Sequence, residues 1–104
     1  MGFFSFLGLG NGALKNALRK GAIIVDVRTA TEFDSGHIPE AFHIPVDRIK
    51  VSAERLKEAK RPIVLCCNSG HRSGDAMQIL KAKGVKEVYN GGNWENLLRL
   101  LKTI

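Results

Sequence analysis

Val64-Leu65-Cys66-Cys67-Asn68-Ser69-Gly70-His71-Arg72-Ser73 is the stretch on which the fold of this chain turns. It begins as an unbroken apolar run, the mark of a strand covered on both faces. It then becomes turn chemistry, and Ser73 is the expected cap of a following helix. Beyond it, Ser73, Ala76, Met77 and Leu80 recur at i, i+3, i+4 and i+7, and Gly84 is placed to stop that helix. Before it, Ser52 reads as the cap of a helix whose inner face carries Ala53, Leu56 and Ala59. Arg61-Pro62 ends that helix and leads into a strand from Ile63 to Cys66.

The same alternation continues toward both ends. Asn11 is the expected cap of a helix with Leu14, Ala17 and Leu18 on one face and Gly21 as its stop. Ala22-Ile23-Ile24-Val25-Asp26-Val27 follows as a second buried strand. Thr29-Ala30-Thr31-Glu32 has capping-box spacing and predicts a short helical turn that Phe33 pins to the core. Ser35 to Pro39 is turn chemistry, Ala41 to Ile44 reads as a short strand ended by Pro45, and Val46 to Ile49 as one more turn. Val85 to Tyr89 is the last expected strand, Gly91-Gly92 a sharp turn, and Asn93 the cap of a helix with Trp94, Leu97, Leu98 and Leu101 as its core stripe. Strands alternating with helices imply an α/β domain: a mainly parallel, four- to five-stranded sheet with helices on both faces. In such sheets ligands lie beyond the carboxyl ends of the strands, where Cys67 falls.

Size and composition bound the function. A chain of 104 residues with 44% hydrophobic and 25% charged residues suits one globular domain. The expected division is an apolar segment over 1–10 and a single domain over 11–104. Sixteen Lys and Arg against ten Asp and Glu give a net charge of +6, which favours anionic partners. The basic residues do not alternate with aromatics in blocks, so nucleic acid binding is not expected. Phe3, Phe4, Phe6, Leu7 and Leu9 are interrupted by glycines, so the first ten residues read as an edge strand or tail rather than a secretory signal or membrane span. The two cysteines are adjacent, poor geometry for a structural disulfide, which points to a reducing, cytoplasmic compartment and a chemical role. These cysteines and the three histidines lack zinc spacing, and no phosphate-binding or dinucleotide fingerprint occurs, so neither metal nor cofactor is expected. A monomer is expected.

The chemistry concentrates in the loop. A thiol at the end of a parallel strand faces the first turn of the next helix, where unpaired N–H groups and the helix dipole favour negative charge. Cys67 is therefore expected to be partly thiolate, with Arg72 supplying a cation. Cys66 reads as a buried strand residue. Counted from Cys66 instead, the loop has five residues before Arg72 and Ser73 and is similar to the phosphate cradle of cysteine phosphatases and some arsenate reductases. That register makes Cys66 the nucleophile and Arg72 its oxygen ligand.

Taken together, Ile24-Val25-Asp26-Val27-Arg28, Glu32-Phe33, Gly36-His37-Ile38-Pro39-Glu40-Ala41, Cys67-Asn68-Ser69-Gly70-His71-Arg72-Ser73, and Gly91-Gly92 with Trp94 resemble a single-domain rhodanese. The resemblance covers residues 13–101 and implies a three-layer α/β/α fold and a sulfurtransferase. Such an enzyme takes a sulfane sulfur from a small anionic donor such as thiosulfate, holds it as a cysteine persulfide, and passes it to cyanide or a protein thiol. By motif, Cys67 takes the nucleophile's position, Asn68, Ser69, Gly70, His71 and Arg72 the active loop, and Asp26 and Arg28 brace that loop. Gly70 suits a tight turn, Ser69 and Ser73 can donate to sulfur, and Arg72 can bind a pair of sulfonate oxygens. The same family resemblance also admits a non-catalytic binding module, against which the intact Cys67 and Arg72 argue.

Overall fold

An apolar strand stays buried only if something covers each of its faces, and this chain meets the requirement by following strands with helices. The computed structural model describes residues 12–104. Helix α1 covers residues 12–19. It is followed by β1 (Ile23–Asp26), α2 (Ala30–Asp34), β2 (Phe42–His43), a 3₁₀ turn (Val46–Arg48), α3 (Ile49–Glu58), β3 (Ile63–Cys67), α4 (His71–Ala82), β4 (Val88–Asn93) and α5 (Trp94–Leu101). The expected tail or edge strand over 1–10 and the cap Asn11 lie outside the described residues. No helix among the described residues is long and apolar enough to cross a membrane.

Among the described residues the sheet has four strands in the order β2-β1-β3-β4, all parallel. Every residue of β1 and β3 is buried. Alternation along those strands then divides the core in two. Ile23, Val25, Ile63, Leu65 and Cys67 pack with Ala53 and Leu56 of α3 and Ala76 and Leu80 of α4. Ile24, Val64 and Cys66 pack with Leu14 and Ala17 of α1 and Leu97 of α5. The adjacent cysteines therefore lie on opposite faces of the sheet. A fully buried Leu65 or Leu80 contributes about 1.5–3 kcal/mol relative to an exposed one, so each layer is a substantial source of stability.

Several boundaries differ from the sequence expectation, each for a physical reason. Helix α3 starts at Ile49, not after Ser52, because the 3₁₀ turn runs straight into it, with the Ile49 N–H bonded to the Val46 carbonyl. Helix α4 starts at His71 because Gly70, left-handed at φ +89°, takes the cap position without any side-chain bond. Ser73 thus sits within the first turn. Phe33 is only partly buried, stacked between His37 and His43 with centroids 3.7 and 4.6 Å away, while Ile38 fills the core. Trp94 is likewise partly buried, lying against the Arg28 guanidinium at 4.8 Å.

The largest departure is β4. Gly91-Gly92 is no turn; both residues belong to the strand, and Gly91 is the extra residue of a bulge. Leu65 pairs with Asn90 but Cys66 with Gly92, and the step skips Gly91. Glycine is required there, since a Cβ would lie 2.9 Å from Val64 Cγ1 and 3.0 Å from both the Leu65 oxygen and Leu97 Cδ2. Gly91→Ala is expected to destabilise the fold by about 1–3 kcal/mol. A urea titration should show a lower midpoint with an unchanged slope. The bulge also carries Asn93 level with Cys67, beside the loop.

Candidate active site

Cys67 ends β3, and the next residues turn sharply into α4. Its Sγ accepts the Gly70 N–H at 3.0 Å and lies 3.3 Å from Ser73 Oγ. The left-handed Gly70 is what folds the loop back so that its N–H points at the sulfur. Ser73, fully buried, lies between two partners: its hydroxyl is also 2.7 Å from Asn90 Oδ1. The Asn90 amide is fixed in orientation, Nδ2 donating to the Gly70 carbonyl at 2.9 Å and Oδ1 accepting the Gly92 N–H at 3.0 Å.

This arrangement tolerates either protonation state of the thiol. With Cys67 protonated, its S–H can donate to Ser73 Oγ while Ser73 donates to Asn90. With Cys67 ionised, the Ser73 hydroxyl can turn to the sulfur, and Asn90 Oδ1 keeps the Gly92 N–H. Burial alone raises the pKa of this thiol, but the Ser73 hydroxyl and the N–H groups of Ser73, Ser69 and Gly70 outweigh it and hold Cys67 below the ordinary thiol value. The thiolate is the reactive form, so alkylation of Cys67 by iodoacetamide should rise with pH to a plateau, with its midpoint below the free-thiol value of about 8.5. Ser73→Ala is expected to move that midpoint upward.

Cys66 is in the opposite situation. Burial first, and then the Asp26 carboxylate, push its thiol up to about 12. It faces the α1 and α5 layer while the loop wraps Cys67, so the phosphatase-like register finds no cradle around its proposed nucleophile.

Arg72 is paired with a residue of α2. Its Nη1 and Nη2 donate to the two carboxylate oxygens of Glu32 at 2.8 and 3.0 Å, so the fork is engaged by a side chain rather than open to an anion. The hydrogen bond from Arg72, then that of the Thr29 backbone, lowers the Glu32 carboxyl to about 2. Glu32 also accepts Asn68 Nδ2 at 2.8 Å, and Asn93 Nδ2 donates to the Asn68 carbonyl at 2.6 Å. Asn68, Ser69 and His71 are exposed, and the His71 N–H bonds Ser69 Oγ at 3.3 Å.

Asp26 and Arg28 form a buried pair, Nε donating at 2.9 and 3.0 Å and Nη2 at 2.7 Å. Arg28 further donates to the carbonyls of Glu32 at 3.2 Å and Gly36 at 2.6 Å. The pair thus holds α2 and the turn after it, and connects to the loop through Glu32. Sequence reasoning missed Glu32 as a partner of Arg72, and missed Asn90 and Asn93. One signal pointed to the asparagines: Asn90-Gly91-Gly92-Asn93 is a polar run at the carboxyl end of a parallel strand.

Known proteins resemble this chain in sequence and fold. The Rhodanese-like domain family model matches residues 11–94. The uncharacterized protein YqhL of Bacillus subtilis is 39% identical over a segment covering 66% of this chain and 54% of its own length. The thiosulfate sulfurtransferase GlpE of Pseudomonas syringae is 38% identical, covering 71% of this chain and 70% of that protein. The chain spans about half the length of YqhL. A rhodanese from E. coli solved with anions superposes with a TM-score of 0.67 at 27% identity, over 73% of this chain and 91% of that one. With the family model spanning most of the molecule and solved rhodanese structures superposing on it, this chain belongs to the rhodanese-like domain family.

Proposed function

We propose that Cys67 is the nucleophile of a sulfurtransferase that accepts a sulfane sulfur from a small anionic donor such as thiosulfate and hands it to cyanide or a thiol. The observation that carries this reading is the hydrogen bonding of Cys67 Sγ, by the Gly70 N–H at 3.0 Å and beside Ser73 at 3.3 Å, at the mouth of a parallel sheet. The GlpE relative, named a thiosulfate sulfurtransferase, supports the donor class.

In the first step the Cys67 thiolate attacks the outer sulfur of thiosulfate. A bond forms between Sγ and that sulfur, the bond to the sulfonate sulfur breaks, and sulfite leaves with the electron pair. The Ser73 hydroxyl and the N–H groups of Ser73, Ser69 and Gly70, which favour negative charge on Sγ, stabilise the attacking thiolate. In the second step the acceptor attacks the outer sulfur and Cys67 departs as a thiolate, the low pKa making it a good leaving group. Cys67 is buried, and the loop residues Asn68, Ser69 and His71 that follow it are exposed. Arg72 and Asp26–Arg28 act on the loop's shape. Both thiols are free, which suits a cytoplasmic, reducing compartment.

Incubating the reduced protein with thiosulfate, then peptide mapping, tests the reading. One added sulfur on Cys67, released by cyanide as thiocyanate, is the expected result. A Cys67 left unmodified in a folded protein by thiosulfate and by glutathione persulfide alike would refute it.

A further inference from the structure

Glu32 is more than a helix-capping residue. Its carboxylate is fixed from its own side before any loop residue reaches it: the Thr29 N–H bonds Oε1 at 2.9 Å, Thr29 Oγ1 lies 3.1 Å from the same oxygen, and the two residues complete a capping box on α2. From the other side it takes both terminal nitrogens of Arg72 and the amide of Asn68, at the two ends of the loop. A sulfonate seeking the Arg72 fork must therefore displace a carboxylate that cannot easily swing aside, and must do so against its negative charge. Because the carboxyl titrates at about 2, it stays ionised at any working pH, so no change of pH in that range opens the fork.

Resting on the sulfurtransferase reading above, we propose that Glu32 is a specificity-determining residue: by occupying the Arg72 fork it withholds the loop's guanidinium from dianionic thiosulfate and tilts the site toward persulfides of thiols as donors. A persulfide RS–SH needs no sulfonate ligand. The Cys67 thiolate attacks its outer sulfur, the new S–S bond forms, the old one breaks, and the electron pair leaves on RS⁻ while the proton stays with the transferred sulfur. No oxidant or reductant is consumed.

The test compares the rates at which thiosulfate and glutathione persulfide load sulfur onto Cys67, followed by mass spectrometry. Glu32→Gln is expected to raise the thiosulfate-to-persulfide rate ratio about tenfold, the effect of freeing one charge-assisted pair at a partly buried site. Adding Arg72→Gln should return the ratio to its starting value. A parallel change with both donors would overturn the proposal, leaving Glu32 as a strut for the loop. A second arm needs no sulfur transfer: in a Cys67→Ser protein, calorimetric titration with thiosulfate should tighten about tenfold on adding Glu32→Gln, and only while Arg72 is present. Unchanged affinity there would also overturn it. If wild-type Cys67 takes sulfur from neither donor, the sulfurtransferase reading fails while the calorimetry still judges Glu32.

Discussion

Cys67→Ser is expected to lower kcat/KM for thiocyanate formation by about a thousandfold or more, while Cys66→Ser leaves it within about twofold. The two residues are chemically identical and adjacent, so only their surroundings separate them. Strand alternation turns Cys67 toward the α3 and α4 layer, under the loop that folds back on its sulfur, and turns Cys66 into the apolar layer between α1 and α5. Gly70, Ser69 and Ser73 stabilise a negative charge on the first, whereas burial and Asp26 oppose one on the second. A serine at 67 keeps the side chain's shape and its capacity to hydrogen-bond but is a poor nucleophile at neutral pH. A serine at 66 buries a hydroxyl in an apolar layer, which costs about 1–3 kcal/mol of stability but touches no reacting atom. Circular dichroism and a melting curve on both variants separate loss of chemistry from loss of fold. Retained activity in Cys67→Ser with loss in Cys66→Ser would move the reaction to the other face and revive the phosphatase-like register.

What could be read from the chain was local. The apolar runs of β1 and β3, the stop glycines 21 and 84, the Thr29–Glu32 capping box and the thiol before a helix are all patterns within a few residues. They suffice for an α/β sheet with Cys67 at its carboxyl edge. What could not be read depends on register between segments distant in sequence. Glu32 and Arg72 meet across 40 residues, and Ser73 and Asn90 across 17, because the sheet order places α2 and β4 on either side of the β3 loop. The bulge at Gly91 was hidden for the same reason: a Gly-Gly pair signals a turn until the partner strand is known to press against it. That Arg72 has Glu32 as its partner could not be read from either residue's own neighbourhood.

Arg28→Ala is expected to destabilise the fold by about 3–5 kcal/mol, with the melting temperature lowered by roughly 15 °C or more. Arg28 is 3% exposed and Asp26 0%, so the pair has no water to fall back on. Truncation leaves the Asp26 carboxylate with the residue-28 backbone N–H at 3.0 Å but without any of its guanidinium bonds. It also strands the Gly36 carbonyl, leaves the Glu32 carbonyl to the Ser35 hydroxyl at 2.9 Å, and removes the cation lying against Trp94. Much of the loss is the cost of a buried charge left unpaired rather than the worth of the pair itself. Replacing both residues with leucine should therefore cost less than Arg28→Ala alone, and chemical denaturation of the two variants checks that order. If the double replacement is the worse of the two, the pair contributes directly to stability and the desolvation argument is wrong. The effect reaches the loop through one route: Arg28 holds the Glu32 carbonyl, and the Glu32 side chain holds Arg72 and Asn68. In Arg28→Lys, which keeps the charge but cannot span these acceptors, thiosulfate should therefore gain on persulfide as it does in Glu32→Gln, though by less, because the Thr29 capping box still anchors the carboxylate.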